Sequence, residues 1–525
     1  MKILPIPLIR KADAYTIENE PIAEIDLMER AASSCFHWIE KNISPDRKIK
    51  VFCGSGNNGG DGLAIARMML GAGFMADVFT VSPPEKMSEC CRVNFETMQT
   101  MQTMQTMQTM QAMQTMQTMQ EMQECRKMEN YSDFPAIGEM DVVIDALFGS
   151  GLTRPAEGFM AEVIEHINSS GALVVAIDVP SGLFIDETTP TGKNHSVIRA
   201  DYTLTFSPPK LAFFFPENDK FIGEWKLLDI GLMQEFVDSA IVRNFLLEKG
   251  DVSQILRKRN KFAHKGNFGH ALLICGSTGK MGAAVLAARA CLRSGPGLVT
   301  IHVPKSGITI LQTAVPEAML GIDAGMDCFT SVPELTAFSS IAVGPGIGKS
   351  SQTASALKIL IQETKIPMIF DADAINLLSE NKTWLGFIPK DSIFTPHPKE
   401  FERLVGKSSN DFERNQIQRD FSHKYQCYMV LKGAHSAITT PDGRCFFNST
   451  GNPGMATGGS GDVLTGIIAG LRAQAYTPLE CCLLGVYIHG LAGDFAASTQ
   501  GFEALIANDI TENMGKSFQF LYGKL

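Results

Sequence analysis

The 525-residue sequence has no basic stripe, no C-x-x-C pair, no Cys/His cluster with zinc spacing and no uninterrupted apolar run of membrane-spanning length. Each absence removes a class of function. Without a stripe of Lys and Arg, and with a mild formal charge of −10, there is no electrostatic footprint for nucleic acid. Twelve cysteines without zinc spacing read as reduced, mostly buried thiols. The N-terminus, MKILPIPLIRKADAY, has its short apolar stretch broken by Pro5 and Pro7, unlike the continuous core of a signal peptide, and no membrane is expected as a partner. A cytoplasmic location and small-molecule work are therefore expected. What is present, 45% hydrophobic and 19% charged residues, is ordinary for a globular protein, and the length exceeds what one core organises.

Apolar positions Leu27, Met28, Ala31, Ala32, Cys35, Phe36 and Ile39 recur at three and four residues, which predicts an amphipathic helix within 23–41. Apolar runs at Ile49–Cys53, Ala76–Val81, Asp141–Ala146 and Leu173–Ile177 follow, most of them separated by helical stretches, the rhythm of a parallel α/β sheet. The rhythm restarts after the charged stretch Arg243–Asn260. Strands are predicted at Ala271–Cys275, Leu298–Val303, Ile341–Val343, Met368–Phe370, Ile393–Thr395 and Met429–Lys432. Domains are thus expected at 1–238 and 249–525, as packed neighbours without a long linker. Residues 97–124 are nearly a perfect Met-Gln-Thr repeat holding nine of the 26 methionines. A period of three walks around a helix, so these methionines make no straight stripe. The segment reads as a surface insertion or helical extension, with a partner-binding Met surface as the alternative.

Residues 51–70, VFCGSGNNGGDGLAIARMML, read as strand, glycine turn and helix, with Gly54, Gly56 and Gly59 in the G-x-G-x-x-G pattern that brings backbone to a pyrophosphate. A hydride-transfer enzyme should also carry an acidic residue at the end of the second strand. Here Asp77 sits at that strand's start and the run ends FTVSPP, which weakens that reading. More distinctive are Asn57, Asn58 and Asp61, which put amide and carboxylate groups where a ligand or cation would rest. Asp178 ends a strand before a Pro-Ser-Gly turn. It is either a proton-transfer group or a helix-capping or turn aspartate.

With the ordered motifs N57-N-G-G-D-G, D145-A-L-F-G-S-G-L, A176-I-D-V-P-S-G-L and T205-F-S-P-P-K, the first half resembles the epimerase domain of the nicotinamide-nucleotide-hydrate repair enzymes. The resemblance implies a Rossmann-like three-layer α/β/α domain. It further implies that Asn57, Asn58, Gly59, Gly60 and Asp61, with Gly149, Ser150, Gly151, Leu152, Thr153, Arg154, Pro155 and Asp178, line the site for hydrated NADH or NADPH. Asn58, Asp145 and Ser181 would surround K+, and Asp178 would be catalytic. Lys210 would pair with a phosphate or lie solvated at the surface. The chain departs from the family at the Met-Gln-Thr insertion, between the second and third strands.

In the second half, NPGMATGGSGDVL at 452–464 runs straight into a helical stretch predicted over 463–473. Gly458, Gly459 and Gly461 supply permissive backbone at a helix N-terminus, an anion hole, and Asp462 sits where an attacking hydroxyl would need its proton accepted. The plain alternative is an N-terminal helix aspartate. This run resembles the G-x-G-D motif of ribokinase-like kinases, and H264-K-G, G276-S-T-G-K-M-G, G344-P-G-I-G, D371-A-D-A-I-N, T395-P-H-P and K432-G extend the resemblance to the dehydratase domain of the same repair enzymes. It implies a ribokinase-like α/β domain that phosphorylates the ring hydroxyl and expels phosphate, with ADP or ATP as co-substrate, Mg2+ and a homo-oligomer.

By position, Ala283, Gly346, His397 and Asp462 would contact hydrated cofactor, with Asp462 catalytic. Lys432, Gly433, Ala434, His435, Ser436 and Gly461 would hold the nucleotide. His397 could instead brace its turn. Asp371, Asp373 and Asn376 would either touch Mg2+ through water or cap the following helix, the second being favoured. Lys399 stands where the family usually has glycine. Rival readings are a vitamin or sugar kinase with a regulatory first domain, and a nucleotide sensor without turnover.

Overall fold

Val51 and Phe52 are neighbours in the chain and both fully buried, yet each belongs to a different hydrophobic core, because successive residues of a strand face opposite sides of its sheet. The same holds for Val142 and Val143, and for Val175 and Ala176, so apolar layers cover both faces. This explains the continuous apolar runs of the sequence. The computed structural model describes residues 1–113, 125–190 and 195–524. It divides the chain into two compact units, Lys2–Val242 and Arg243–Leu525.

Among the described residues of the first unit, seven strands form one sheet: β1 (Lys48–Cys53), β2 (Met75–Thr80), β3 (Cys125–Lys127), β4 (Val142–Ala146), β5 (Leu173–Ile177), β6 (Tyr202–Phe206) and β7 (Glu224–Leu228). Their order is β3-β2-β1-β4-β5-β6-β7 and every pairing is parallel. The order reverses between β1 and β4, and a ligand crevice belongs outside the strand ends at that switch point. The helix predicted within 23–41 spans Glu24–Asn42 and buries Leu27, Met28, Ala31, Ala32, Cys35 and Ile39. Asp77 and Asp141 both approach Lys50, so Asp77 serves the sheet and not a ribose.

Two further helices follow, the first not anticipated and the second the helical extension that the repeat offered. Ile6–Asn19 starts directly after Pro5, with Pro7 in its first turn, where a missing N–H costs nothing. Glu89–Met113 carries the first part of the Met-Gln-Thr repeat as a helical extension, and Met98 is fully buried in the core. The repeat's remainder, 114–124, lies outside the described residues.

Among the described residues the second unit holds β8 (Asn244–Leu247), β9 (His270–Ile274), β10 (Leu298–Val303), β11 (Met319–Ile322), β12 (Ser340–Val343), β13 (Met368–Phe370), β14 (Ile393–Phe394), β15 (Tyr428–Leu431), β16 (Ala437–Thr439) and β17 (Cys445–Asn448). Their order is β11-β10-β9-β12-β13-β14-β15-β16-β17-β8, antiparallel only where β16 pairs with β15 and β17. Again the order reverses, between β9 and β12. An expected start at residue 249 omits β8, which pairs with β17 inside the charged stretch; the unit begins at Arg243. The helix Pro478–Gln500 is long and apolar enough to cross a membrane by composition, but 72% of its apolar window is buried, as in the core helix of a globular domain.

Candidate active sites

In the first unit the glycine turn after β1 and the loop after β4 are pressed together. A side chain on Gly54 would collide with the Leu147 carbonyl, one on Gly59 with the Gly54 carbonyl, and one on Gly62 with Ala146, while Gly56 faces open space. These glycines are therefore needed first for contact between protein segments. Gly54→Ala should destabilise the unit by the upper end of the ~1–3 kcal/mol typical of overpacking. Gly56→Ala should leave it unchanged, and thermal unfolding of the two variants reads the contrast.

The residues predicted for the first site lie on the segments around this turn. Asn57, at the start of the helix Asn57–Gly71, donates to Glu24 at 3.1 Å. Gly59, Gly60 and Asp61 are buried on the same helix. In the loop after β4, Gly149, Ser150 and Leu152 are half-buried and Gly151, Thr153, Arg154 and Pro155 exposed. Asp178 follows β5 with φ +61, a left-handed conformation that aspartate tolerates better than most residues. It caps no helix. Its carboxylate accepts the Ser150 amide at 3.1 Å and pairs with Lys210 at 2.8 Å. Burial would raise its pKa, but the Lys210 ammonium and these bonds outweigh burial and hold it below the ordinary carboxylate range.

Lys210 is neither solvated nor aimed at a phosphate. It is 2% exposed, and besides Asp178 its ammonium donates to the Phe206 and Pro208 carbonyls at 2.6 and 3.3 Å, which occupies its three protons. Asp61 is driven the other way from Asp178: burial and the nearby Asp178, Asp13 and Glu29 raise its pKa well above normal. Asp13, on the helix Ile6–Asn19, is likewise raised to about 6 by burial and by Asp178. No motif pointed to Asp13.

The residues proposed for a potassium ion lie on three adjoining segments. The Asn58 side-chain oxygen and nitrogen are buried with no protein partner, and that oxygen is 3.3 Å from where a side chain at Gly149 would begin. Asp145, fully buried, accepts the Ser181 hydroxyl at 2.6 Å and the Ser181 amide at 2.8 Å. Burial lifts its pKa to about 6 against those bonds. The orphaned Asn58 amide oxygen, the Asp145 carboxylate and the Ser181 hydroxyl would make an all-oxygen donor set, which suits a hard, weakly polarising cation.

In the second unit the helix Ser460–Ala473 starts after Gly459, whose φ is +94. The Lys432 ammonium lies 3.2 Å from where a side chain at Gly461 would begin, so a positive charge stands over the helix's positive end. Lys432 also pairs with Asp371 at 2.9 Å, and Asp371 accepts Thr465 at 2.7 Å. Asp462, in the same first turn, has its pKa raised to about 7, by burial and then by Asp371, with Lys432 opposing. A carboxylate with that pKa beside an anion hole is suited to accept a proton near neutrality.

The favoured capping role for the acidic cluster does not hold. Asp371 occupies the cap position of the helix Ala372–Glu380 but makes no side-chain cap bond. Its carboxylate is spent on Lys432 and Thr465 instead. Asp373 accepts Gly348 at 2.9 Å and Lys280 at 3.1 Å, and Asn376 accepts Arg403. Among the described residues no group of three His, Cys, Asp or Glu could cage a metal. A magnesium ion here would rest mainly on nucleotide phosphates and water, as that ion prefers.

Gly346 has φ +65, and a side chain there would begin 3.2 Å from the Ala283 methyl, so this pair forms one wall. His397 does brace its turn, its Nδ1 accepting the Lys399 and Glu400 amides at 3.1 and 3.3 Å. Burial lowers its pKa and leaves the ring neutral, yet the ring remains 44% exposed. Gly433, Ala434, His435 and Ser436 form the turn between β15 and β16, closed by the Gly433 amide on the Ser436 hydroxyl at 3.3 Å. His489, which no sequence pattern flagged, donates to the Ser460 carbonyl at 2.9 Å beneath the anion hole. Its burial lowers its pKa to about 4, so it stays neutral.

Comparison with known proteins gives two family matches. A family model described as NAD(P)H-hydrate dehydratase matches residues 271–516, and one described as YjeF-related protein N-terminus matches residues 24–212. The bifunctional NAD(P)H-hydrate repair enzyme Nnr of Moorella thermoacetica is 35% identical over 504 residues, 94% of this chain and 92% of the relative. That of Thermofilum pendens is 33% identical over 532 residues, 99% and 97% of the two chains. Among solved structures, the ADP/ATP-dependent NAD(P)H-hydrate dehydratase of Bacillus subtilis, co-crystallised with ATP and Mg2+, is 30% identical with a TM-score of 0.47. It covers 53% of this chain and 98% of that one.

Proposed function

The chain belongs to the bifunctional NAD(P)H-hydrate repair enzymes, and on that premise we propose that its first unit interconverts the R and S hydrates and its second unit dehydrates the S hydrate. The protein is an enzyme with two activities, epimerisation of hydrated NADH and NADPH and their nucleotide-dependent return to the reduced cofactors. The observation that carries the second assignment is Lys432 standing over Gly461 with Asp462 in the same helical turn.

Hydroxide is a poor leaving group and phosphate a good one. In the second unit the Asp462 carboxylate takes the proton of the ring hydroxyl as that oxygen attacks the terminal phosphorus of ADP or ATP. Lys432 and the amides of the helix N-terminus hold the phosphate charge that develops. The ring nitrogen's electron pair then expels phosphate as a carbon–nitrogen double bond forms, and loss of a proton from the neighbouring ring carbon to solvent restores the conjugated reduced ring. Ala283, Gly346 and His397 would hold the cofactor, and Lys432 to Ser436 the nucleotide. ADP, giving AMP and phosphate, is the proposed donor, with magnesium balancing the phosphate charge.

In the first unit Asn57 to Asp61 and Gly149 to Pro155 would enclose the hydrate, with Asp178 exchanging a proton at the hydroxyl-bearing carbon's substituent. Asn58, Asp145 and Ser181 would hold a potassium ion, which supplies positive charge near the bound anion. Replacing potassium by a cation too large for the site should slow R–S exchange and leave dehydration of the S hydrate alone; unchanged exchange would remove the ion from this site. The twelve cysteines, all free, suit a reducing compartment such as the cytoplasm.

The test is to supply S hydrate with ADP or ATP and follow the reduced cofactor's near-ultraviolet absorbance together with released phosphate. Both should rise in equal amounts. Release of a stable phosphorylated small molecule, with no recovery of reduced cofactor, would instead make the second unit a vitamin or sugar kinase.

A further inference from the structure

Asp13, Asp61 and Asp178 lie within electrostatic reach of one another in the first unit, only Asp178 is paired with the Lys210 ammonium, at 2.8 Å, and their environments separate their proton affinities. Asp13 reaches this cluster from the helix Ile6–Asn19, outside the matched segment 24–212 and outside every motif that marks the site. The helix is pinned along its length. At its start the Ile6 amide donates to Asp186 at 2.8 Å, and near its end the fully buried Thr16 hydroxyl accepts the Met233 amide at 3.0 Å.

Between these anchors the helix leans on the ligand loop: the Arg10 guanidinium lies 3.2 Å from where a side chain at Gly151 would begin. Asp13 is three residues further on, on the same face. The charged groups within its electrostatic reach are Asp178, Lys210 and Glu24, and Asp61 feels it in turn. Glu24 is itself tied to Asn57 of the glycine turn.

We propose that Asp13 is a catalytic residue of the epimerase site, the acid that protonates the ring hydroxyl, working opposite the ionised Asp178. This rests on the epimerase reading of the first unit. Asp13 gives its proton to the hydroxyl oxygen, the carbon–oxygen bond breaks, the ring nitrogen's electron pair forms a carbon–nitrogen double bond, and water leaves. Water then adds from the opposite face while the Asp178 carboxylate takes up the proton it sheds, and solvent returns a proton from Asp178 to Asp13. The division follows a general rule: two carboxyls in one site become acid and base when their surroundings push their pKa values apart. Lys210 holds Asp178 ionised, and burial beside Asp178 leaves Asp13 titrating at about 6. Since the protonated form is the working one, exchange should slow as pH rises above about 6.

The experiment uses the full chain with saturating nucleotide. The R hydrate can recover only through the first unit, whereas the S hydrate bypasses it. For Asp13→Asn, kcat for R-hydrate recovery should fall about a hundredfold, the scale of lost general acid catalysis. KM should stay within about twofold because the amide keeps shape and polarity. S-hydrate recovery should be unchanged, and the decline of rate above pH about 6 should vanish. Asp13→Glu should restore part of the rate together with that decline. Asn removes a carboxylate whose raised pKa opposes folding at neutral pH, so D13N should unfold no lower than the unmutated protein.

Wild-type R-hydrate rates in D13N, or a persisting decline above pH about 6, overturn the proposal and leave the epimerase reading standing. If D13N is slow but unfolds early, D13E decides, and a folded D13E without the decline also overturns it. If the unmutated chain itself never converts the R hydrate, both readings fall.

Discussion

Asp462→Asn should stop nucleotide-dependent dehydration, lowering its kcat by roughly a hundred- to ten-thousand-fold, while R–S exchange by the other unit continues at its normal rate. Asparagine preserves the side chain's size and its place in the first turn of the helix Ser460–Ala473 but cannot take a proton. In the unmutated protein the carboxylate form is the active one. Burial and Asp371 place its titration at about 7, with Lys432 opposing, so dehydration should rise with pH through about 7 and level off above. The variant's residual rate should lose that rise. Stopped-flow absorbance of the reduced cofactor, with S hydrate and nucleotide saturating, reads both results. A variant that keeps the wild-type rate would remove Asp462 from the chemistry and leave Lys432 and the helix N-terminus as a binding site only.

Lys210→Met should damage the first unit in two ways. The ammonium is 2% exposed and Asp178 beside it is 7% exposed, so removing one partner leaves a buried charge with no counter-ion, at a cost of about 3–5 kcal/mol. Asp178 would then be protonated more readily, because its low pKa depends on Lys210 outweighing burial. Exchange of R and S hydrates should be lost with the stability. The linkage has a definite sign. A depressed carboxylate pKa stabilises the fold above the unfolded value of 3.8 and ceases to do so as pH falls through the native value, so the unmutated unit keeps this contribution at neutral pH and loses it in acid. The double variant Lys210→Met with Asp178→Leu should recover much of the stability and none of the exchange. Chemical unfolding of the first unit, read beside the exchange rate, separates the two effects.

What could be read from sequence follows from how each part is built. Buried parallel strands are continuous apolar runs, so β1, β5, β10 and β13 stood out within a residue of their bounds. Short or polar edge strands carry no such run: β3 is Cys-Arg-Lys and β7 is Glu-Trp-Lys-Leu-Leu, and β8 hid in a charged stretch because it lies at a sheet edge. The two candidate sites drew attention in the sequence where the chain folds a motif tightly, around Asn57 to Asp61 and Gly458 to Asp462. They were not legible where a side chain arrives from a distant element. Asp13 sits in an ordinary helix that the opening prolines concealed, and His489 acts from inside a long apolar helix by holding one carbonyl. Lys210 was visible but its role was not, since only the fold shows that its charge is spent on Asp178.

The most direct measurement of the two-activity claim is to incubate the intact protein with pure R hydrate, first without and then with nucleotide, while resolving the epimers by chromatography and following the reduced cofactor by absorbance. Without nucleotide, R should relax to a mixture of R and S with no reduced cofactor formed. On adding ADP or ATP, both epimers should drain into the reduced cofactor, with one phosphate released for each molecule recovered. R hydrate that stays R without nucleotide and never recovers after its addition, in a preparation that repairs S hydrate, would contradict the account.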